Sequence, residues 1–377
     1  MRREGTGEIS MDIEVGSTQS YVRDPHLEWV TKEGLPLVRG FAVNLMEVET
    51  KPWARYDARG AILKVDGAGD FLDLWLLDIP AGGATSPQHH VFEEVIYVIS
   101  GHGTTSIEAP GEKTHSFEWG PKSFFVIPLN ARYRHFNTSG TDRAVLASTT
   151  TFPIMINLLH DEDFIFQDDW VFKDRFGRDD FFSGVGELIP RDVERDRRNI
   201  WETNFVPDLG SFDQVPENDE RGKGSRTVEF ITGDNTMHAH MSEIPVGGYK
   251  KAHRHEAGFH IFPVTGQGYS LLWTDDPTER HRVDWEHGHV YSPPEQWWHQ
   301  HFNVSMEPSR YLATFLGSNR YPLTLERRAT YEHRDDLRRG GGQVEPADEL
   351  PEIYTIFEQE LTKRGYTPTM DRPAYRS

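Results

Sequence analysis

Four histidines in the C-terminal half of the chain have a spacing that suits metal binding. His253 and His255 are separated by one residue, so on an extended strand both side chains project from the same face. His260 follows closely and His299 lies much further along the chain, but a β-barrel brings distant strands side by side. His299 can therefore meet the pair formed by His253 and His255, and the four histidines are candidates for a metal site.

The number of histidine ligands decides which chemistry is open to such a site. Neutral imidazoles bind iron, manganese, nickel, copper or zinc, and the chain contains no cysteine that could supply thiolate ligands. Three histidines leave coordination positions for a chelating substrate and dioxygen, and they leave the full +2 charge, which favours an anionic or enolate substrate. A four-histidine shell leaves fewer open positions and favours non-redox chemistry.

Other polar residues near these histidines are candidates for contacts with substrate. His301 follows His299 by two residues and points the same way along a strand, while His238 and His240 share one face of the preceding strand. These three are predicted to move protons or to hydrogen-bond a ligand. A second group could meet a substrate carboxylate, although surface charge is the commoner fate of such residues: Gln296, Arg254, Lys250 and Lys251.

The chain repeats itself, which indicates a duplicated domain. The segment 73–83 recurs as 238–248 at an offset of 165 residues, and Tyr133-Arg-His-Phe-Asn recurs as His299-Gln-His-Phe-Asn at an offset of 166. One residue gained over a whole domain is what surface loops tolerate.

The first copy keeps the frame of the repeat but not its ligand set. Gln88 replaces the first histidine and Tyr133 replaces the last, so His90 and Glu94 remain, with Gln88 and His135 as weaker candidates. We predict a structural role for this copy, and whether it binds a metal stays open.

The elements that must position these residues are short strands rich in β-branched and aromatic residues, which predict a sandwich or barrel. The predicted strands are 94–100, 123–128, 259–265 and 289–292, and the predicted helix is 349–364. The expected organisation is an N-terminal arm (1–50), a first barrel (51–160), an inter-barrel segment (161–225), a second barrel (226–325) and a C-terminal tail (326–377). The inter-barrel segment is expected to pack on a barrel flank or a partner subunit because it is rich in aromatic residues: Phe164, Phe166, Trp170, Phe172, Phe176, Phe181, Phe182, Trp201 and Phe205. A flexible hinge is predicted at 338–342.

The second copy resembles the cupin superfamily. The motif of that superfamily is Gly, five residues, His-x-His, three or four residues, Glu and Gly, followed by Pro, His and Asn. The chain matches it at Gly247, His253, His255, Gly266, Pro294, His299 and Asn303. It departs at the glutamate, where Phe259 stands after the three-residue spacing and His260 after the four-residue spacing.

The sequence around the motif histidines is similar to that of gentisate and 1-hydroxy-2-naphthoate dioxygenases. Ala252-His-Arg-His and Trp298-His-Gln-His echo the corresponding stretches of that group, which uses a three-histidine iron(II) site without the glutamate. The resemblance implies an all-β fold of two cupin barrels, each a double-stranded β-helix or jelly roll, with added arms and a C-terminal helix. It also implies one divalent metal in the C-terminal barrel, held by His253, His255 and His299, with His260 as a possible fourth ligand. Fe(II) is the first choice of metal, and Mn, Ni, Cu or Zn are the alternatives.

The leading functional hypothesis is an Fe(II) dioxygenase that acts with O2 on a small chelating substrate, aromatic or dicarbonyl. The alternatives are a non-redox metal-dependent isomerase, lyase or decarboxylase, and a non-catalytic ligand-binding protein. We expect a homo-oligomer, as many barrels of this kind pair.

Composition excludes several other classes of partner. The 60 acidic and 40 basic residues give a net charge of −20, which repels nucleic acid and anionic lipid. The sequence contains no long apolar run and no signal-peptide pattern at Met1 to Tyr21, so a cytoplasmic location is the default expectation.

Overall fold

The computed structural model describes residues 24–69, 71–159, 161–167, 169, 176–189, 199–233, 236–256, 258–316 and 336–376. The first part of the predicted arm, Trp170 and Phe172 of the inter-barrel segment, and the predicted boundary at 325/326 lie outside these residues. No helix among the described residues is long and apolar enough to cross a membrane.

The elements before the inter-barrel segment are mostly strands. Helix α1 begins with Asp24, whose side chain accepts a hydrogen bond from the Leu27 amide, and it ends at Gly34 in a left-handed conformation. The elements in chain order are α1 (Pro25–Glu33), β1 (Leu37–Gly40), β2 (Ala42–Asn44), β3 (Lys51–Trp53), β4 (Ala58–Val65), β5 (Asp73–Ile79), β6 (Glu94–Ser100), β7 (Gly103–Glu108), β8 (His115–Trp119), β9 (Phe124–Ile127), β10 (Arg132–Asn137), β11 (Ala144–Thr150), α2 (Phe152–Leu159) and α3 (Glu162–Gln167).

The remaining elements repeat this pattern and end in a helix. They are β12 (Glu187–Ile189), β13 (Asn199–Glu202), β14 (Phe205–Val206), β15 (Arg226–Ile231), β16 (Met237–Ile244), β17 (Phe259–Thr265), β18 (Gly268–Trp273), β19 (His281–Trp285), β20 (His289–Tyr291), β21 (Trp298–Asn303), β22 (Ser309–Leu316) and α4 (Pro351–Lys363). Short 3-10 turns occur at Asp179–Phe182, Asp219–Arg221, Leu337–Arg339 and Pro346–Asp348.

The strand order in each copy is that of a jelly roll. In the first copy one sheet contains the order β5-β11-β6-β9, and the facing sheet has the order β10-β7-β8. The segment around Gln88 pairs with β10 and completes the second sheet. The second copy repeats this arrangement with β16-β22-β17-β20 and β21-β18-β19, completed by the segment 249–253. The predicted all-β fold of two double-stranded β-helix barrels with a C-terminal helix is confirmed.

The two barrels pack against each other through their larger sheets. A single apolar cluster joins the outer faces of β5, β6 and β9 to those of β15, β16, β17 and β22, and includes the contact between the rings of Tyr97 and Phe262, 5.3 Å apart. The chain before the first barrel ties the two halves together, because β1 pairs with β4 and β2 pairs with β20. The barrels are therefore joined by an apolar cluster that is separate from the interior clusters of each barrel.

The inter-barrel segment adds strands to both sheets. β12 and β13 extend the larger sheet of the second barrel, and β14 pairs with β9 of the first. Four of its aromatic side chains pack in the apolar cluster of the first barrel, namely Phe176, Phe181, Phe182 and Phe205. The Phe205 ring lies 4.6 Å from that of Phe117, whereas Trp201 packs against Phe212 at 5.7 Å and Phe164 is exposed. This packing is on a barrel flank.

The predicted flexible hinge at 338–342 is wrong. Gly341, Gly342 and Gln343 are buried, and the carbonyl of Gly342 accepts a hydrogen bond of 3.0 Å from the Arg254 amide. The Val344 amide donates to the carbonyl of Ala252 at 2.9 Å, so this stretch lies along the strand that carries His253. The C-terminal part of this stretch is therefore held against the second barrel by backbone hydrogen bonds.

Glu349, just before α4, is a buried carboxyl whose ionisation works against folding. Tyr249 and Gln300 donate hydrogen bonds to it, but burial is the larger effect and raises its pKa from 4.5 to about 7. The folded protein therefore keeps a proton that the unfolded chain releases, so this group makes stability fall as the pH rises from about 4.5 to 7. We expect Glu349→Gln to remove this fall, measured by urea unfolding at pH 5 and pH 8.

The matched control is Glu358→Gln on the exposed face of α4, which should leave the pH dependence of stability as it is in the unmodified chain. The same slope in Glu349→Gln and the unmodified chain would contradict the assignment.

Candidate metal centre

His253 and His299 are brought together by direct strand pairing. The His253 amide donates to the carbonyl of His299 at 3.0 Å, and the His299 amide returns a bond of 2.8 Å to the carbonyl of His253. Residues paired in this way project from the same face of a sheet, so both rings enter the barrel, with centroids 4.2 Å apart.

His255 completes a group of three. Its ring centroid lies 4.6 Å from that of His299, and one ring nitrogen of each of the three histidines lies within 4.8 Å of the other two. The backbone amide of Gln296 donates to the carbonyl of His255 at 2.9 Å, which docks the turn before β21 onto this strand. The three predicted ligands that the sequence motif marks are thus neighbours in the fold.

The tautomer of each ring is set by a backbone carbonyl. The Nδ1 atoms of His253, His255 and His299 lie 3.1, 2.8 and 3.0 Å from the carbonyl oxygens of Lys251, Glu256 and Trp297. A carbonyl can only accept, so each Nδ1 carries the proton and each Nε2 keeps its lone pair. This outer hydrogen bond is the usual support of a metal-binding histidine.

Electrostatics and burial favour the neutral form that a metal requires. Burial first, and then the charge of neighbouring histidines, lowers the pKa of His253 and of His299 well below the usual value. The Nε2 atom of His299 is buried without a hydrogen-bond partner among the described residues. A buried nitrogen lone pair costs free energy unless it accepts a hydrogen bond or binds a metal ion. Three neutral histidine nitrogens are suitable ligands for a divalent metal ion.

His260, the candidate fourth ligand, is not in this group. Along β17 the side chain of Ile261 enters the second barrel, whereas Phe262 belongs to the cluster between the barrels. Side chains two residues apart on a strand share a face, so His260 points the same way as Phe262. Its Nδ1 lies 3.1 Å from Thr149 Oγ1 of the first barrel. Its burial there lowers its pKa to about 3. Strand alternation therefore turns His260 away from the metal centre.

Phe259 occupies the place of the missing carboxylate. In the first copy Glu94 begins β6 and points into the barrel, and the repeat offset of 165 places Phe259 at the same point of β17. The Phe259 ring lies 4.2 Å from that of His255. The repeat offset could have decided between Phe259 and His260 from sequence alone.

His301 lies one step deeper in the second barrel. Its ring is 5.5 Å from that of His299, and its Nδ1 lies 2.8 Å from Ser270 Oγ and 3.1 Å from the Tyr291 hydroxyl. Trp285 donates its indole N–H to the same Ser270 oxygen. The first barrel contains the same arrangement in His135, Thr105 and Trp119, at 2.8 Å for both contacts. A feature shared by both barrels is consistent with packing, and a catalytic role of His301 stays a prediction.

The other predicted substrate contacts are more peripheral. The rings of His238 and His240 lie 3.5 and 5.4 Å from that of Phe315, on the inward face of β16 but outside the three-histidine group. Gln296 is an exposed turn residue with a left-handed φ of 59°, so its backbone, not its side chain, supports the centre. The Arg254 guanidinium stacks on the Trp298 ring at 4.7 Å.

Lys250 is the functional candidate that sequence reasoning undervalued. Surface charge is the commoner fate of a lysine, yet this one is only 3% exposed. Its ammonium group donates to Ser242 Oγ and to the Tyr311 hydroxyl, both at 3.0 Å, inside the second barrel. The alternation of residues around His253 did not reveal this because the segment 249–253 is irregular.

The corresponding place in the first barrel holds a hydrogen-bonded cluster. His90 Nε2 lies 2.6 Å from Glu94 Oε1, and the hydroxyls of Tyr133, Tyr56 and Ser148 also donate to the Glu94 carboxylate. The cavity beside it measures about 10 Å³, about the volume that one water needs. Gln88 is buried and donates to the carbonyl of Arg55 at 2.8 Å. The first barrel is thus filled where the second offers three converging nitrogens.

Restoring two histidines should create a second metal site. Gln88→His with Tyr133→His adds the two missing imidazoles to His90 and Glu94, because these positions pair across the strands as His253 and His299 do. We expect bound metal to rise from one to two equivalents per chain, measured by elemental analysis after dialysis. The conservative pair Gln88→Asn with Tyr133→Phe is the control and should stay at one. A double-histidine variant that also stays at one equivalent would show that the two barrels differ by more than these ligands.

Comparison with known proteins places few constraints on this site. No protein-family model matches the chain. A stretch of 59 residues, 16% of the chain, is 39% identical to acireductone dioxygenase from Bacillus cereus, and the match spans only about a third (34%) of that relative.

Two solved structures are similar at low identity. One is the formate complex of Lactobacillus farciminis oxalate decarboxylase, with 12% identity, a TM-score of 0.46, and coverage of 75% of this chain and 87% of the other. The other is a mutant of Bacillus subtilis oxalate decarboxylase, with 13% identity, a TM-score of 0.47, and coverage of 75% and 78%. These likenesses are too distant to indicate a reaction, so the fold rests on the strand order and the site on its own geometry.

Proposed function

We propose that this two-barrel protein is a mononuclear metal-dependent oxygenase that binds Fe(II) through His253, His255 and His299 and acts with O2 on a small chelating substrate. The observation that carries the proposal is the convergence of one ring nitrogen from each of three histidines, whose Nδ1 atoms all bond to backbone carbonyls, with Phe259 where a carboxylate ligand would stand. Three ligands leave more open positions than four, which an oxygenase needs.

The surrounding residues support binding from one side of the centre. His253 and His299 are buried, while His255 is half-buried, so a small molecule has access at the His255 edge. The rings of Phe259 and Phe315, both half-buried, stack there at 4.6 Å and form an apolar wall beside this edge. A bound Fe(II) ion would supply Lewis acidity and redox chemistry towards dioxygen.

Two resemblances support this proposal. The sequence around the three histidines is similar to that of gentisate and 1-hydroxy-2-naphthoate dioxygenases, which also lack the glutamate ligand. The short match to an acireductone dioxygenase is to another dioxygenase.

A second candidate is a metal-dependent lyase, isomerase or decarboxylase that consumes no oxygen. The observation that favours it is the layer of exchangeable protons beneath the three histidines, carried by Tyr291, His301 and Tyr311. Such groups can protonate an enolate while a metal polarises a carbonyl.

Oxygen consumption separates the two candidates. Protein purified without oxygen and loaded with Fe(II) is expected to take up O2 with at least one catechol, hydroxybenzoate or diketone, as measured with an oxygen electrode. The Zn(II)-loaded protein and the Fe(II)-treated His299→Ala variant should take up none. Substrate consumption without O2 uptake would replace the proposal with the second candidate. Tightly held zinc in the purified protein with no uptake for any compound would remove the oxygenase proposal.

A further inference from the structure

We propose that Lys250 is an anion-recognition residue beneath the metal centre, and that the substrate is a chelator carrying an anionic oxygen, a carboxylate or enolate, directed into the second barrel. This inference rests on the proposed metal-dependent function and names the substrate class of that site.

The backbone places Lys250 one step below the centre on the same ladder. The Lys250 amide donates to the carbonyl of His301 at 3.0 Å, as the His253 amide does to that of His299. Two residues along β21 correspond to roughly 7 Å. The lysine side chain crosses the barrel interior from this wall to the opposite sheet, where Ser242 and Tyr311 accept its hydrogen bonds.

The hydroxyl groups of Ser242 and Tyr311 together form the binding place of this ammonium group. They face each other directly across β16 and β22. Both hydroxyls belong to buried residues, and the Lys250 nitrogen also lies 5.2 Å from the centre of the Tyr311 ring. Burying an ammonium group costs several kcal/mol before compensation, so a fold places one inside a barrel only with such partners.

The first barrel shows that the fold itself does not require this polar group. The positions equivalent to Ser242 and Tyr311 are Leu77 and Leu146, which face each other across β5 and β11 in the same way. The position equivalent to Lys250 is Thr85, whose amide donates to the carbonyl of His135 at 2.9 Å. All three positions are thus changed together.

The polar set accompanies the three-histidine centre. The barrel with converging histidines has Ser242, Lys250 and Tyr311, whereas the barrel filled by the Glu94 cluster has two leucines and a threonine. By contrast, the arrangement around His301 is present in both barrels. Packing explains what the two barrels share, and ligand recognition explains what only the second barrel contains.

The chemistry that a buried ammonium group recognises is negative charge on oxygen. A charge-assisted hydrogen bond from an ammonium group to a carboxylate is roughly twice as strong as a neutral one, and low polarity strengthens it further. A neutral chelator would gain nothing from Lys250, whereas a hydroxy acid or an enolised dicarbonyl would gain an additional contact beyond the metal.

Binding of two nearly isosteric chelators tests the proposal without oxygen. Salicylate and salicylamide chelate through similar oxygens and differ in charge. Their affinities for the Co(II)-loaded protein would be measured by isothermal titration calorimetry under nitrogen. We expect Lys250→Met to reduce the preference for salicylate over salicylamide about tenfold, with one Co(II) per chain retained.

The matched control is Lys251→Met. Lys251 pairs with Glu345 at 2.7 Å on the outer side of the strand, and its loss should leave the preference unchanged. If Lys250→Met does not fold, a triple variant that copies the first barrel replaces it in the test: Ser242→Leu with Lys250→Thr and Tyr311→Leu. This variant should show the same reduction of the preference for salicylate.

An unchanged preference in the folded Lys250 variants, an equal fall in Lys251→Met, or failure of salicylate to bind the Co(II)-loaded protein would overturn the proposal. Because this measurement needs no turnover, its outcome is separate from that of the oxygenase proposal. A Lys250-dependent preference in a protein that takes up no O2 would remove the oxygenase and keep the anion site.

Discussion

Replacing His255 with Ala is expected to lower the affinity of the protein for a divalent metal by at least about a hundredfold, which exceeds the loss that follows removal of a hydrogen-bond partner of a ligand. His255 supplies one of three ring nitrogens that converge within 4.8 Å, and among the described residues no fourth histidine or carboxylate joins this group to replace it. Because His255 is half-buried, its truncation should cost little folding stability. Metal content after dialysis and the melting temperature would be measured together.

The control for this prediction is His260→Ala. His260 follows the same motif closely in sequence but lies between the barrels against Thr149. Its loss should leave metal content unchanged even where stability falls. Metal retained by His255→Ala, or lost from His260→Ala at a temperature where the variant is folded, would reverse the assignment of the ligands.

Replacing Glu94 with Ala is expected to destabilise the protein by about 3–5 kcal/mol without changing its metal content. The buried Glu94 carboxylate accepts hydrogen bonds from His90, Tyr133 and Ser148, and its loss leaves these groups buried without their acceptor. Urea unfolding at pH 7 measures the loss of stability. Elemental analysis should still find one metal per chain, because the three-histidine centre lies in the other barrel.

Two further measurements sharpen the Glu94 prediction. Replacing the pair together, as His90→Leu with Glu94→Met, should cost less than Glu94→Ala alone, since His90 is not left buried without its partner. Burial would raise the pKa of Glu94, but the hydrogen bonds from His90, Ser148 and Tyr133 outweigh it and hold the pKa below the ordinary value. The contribution of Glu94 to stability is therefore present above pH 4.5 and is lost as the pH falls through the lower folded value.

A Glu94→Ala variant that loses its metal would show that the first barrel holds it. A variant as stable as the unmodified chain would show that the cluster contributes no net stabilisation.

The fold could be predicted closely because the repeat and the strand composition agree. The predicted strands 94–100 and 259–265 coincide with β6 and β17, and the predicted helix 349–364 contains α4. The additional strands β12 to β14 could not be predicted, because their pairing partners lie in two different barrels and short edge strands carry little pattern of their own.

The candidate metal site could be predicted from the sequence only where side chains alternate regularly between the two faces of a strand. His253, His255 and His299 follow from a motif whose two halves pair directly. His260 was misjudged because the spacing in the motif allows three or four residues. The repeat offset and the alternation of side chains along β17 both place Phe259, not His260, at the motif position. The interior position of Lys250 depends on tertiary packing, since a lysine in an irregular segment is usually exposed.

The most direct test of the account is a crystal structure of the protein loaded with Co(II), with anomalous data collected at the metal edge. The account predicts one anomalous peak per chain, coordinated by the Nε2 atoms of His253, His255 and His299. A main peak at His90 and Glu94, or coordination of the metal by His260, would contradict it.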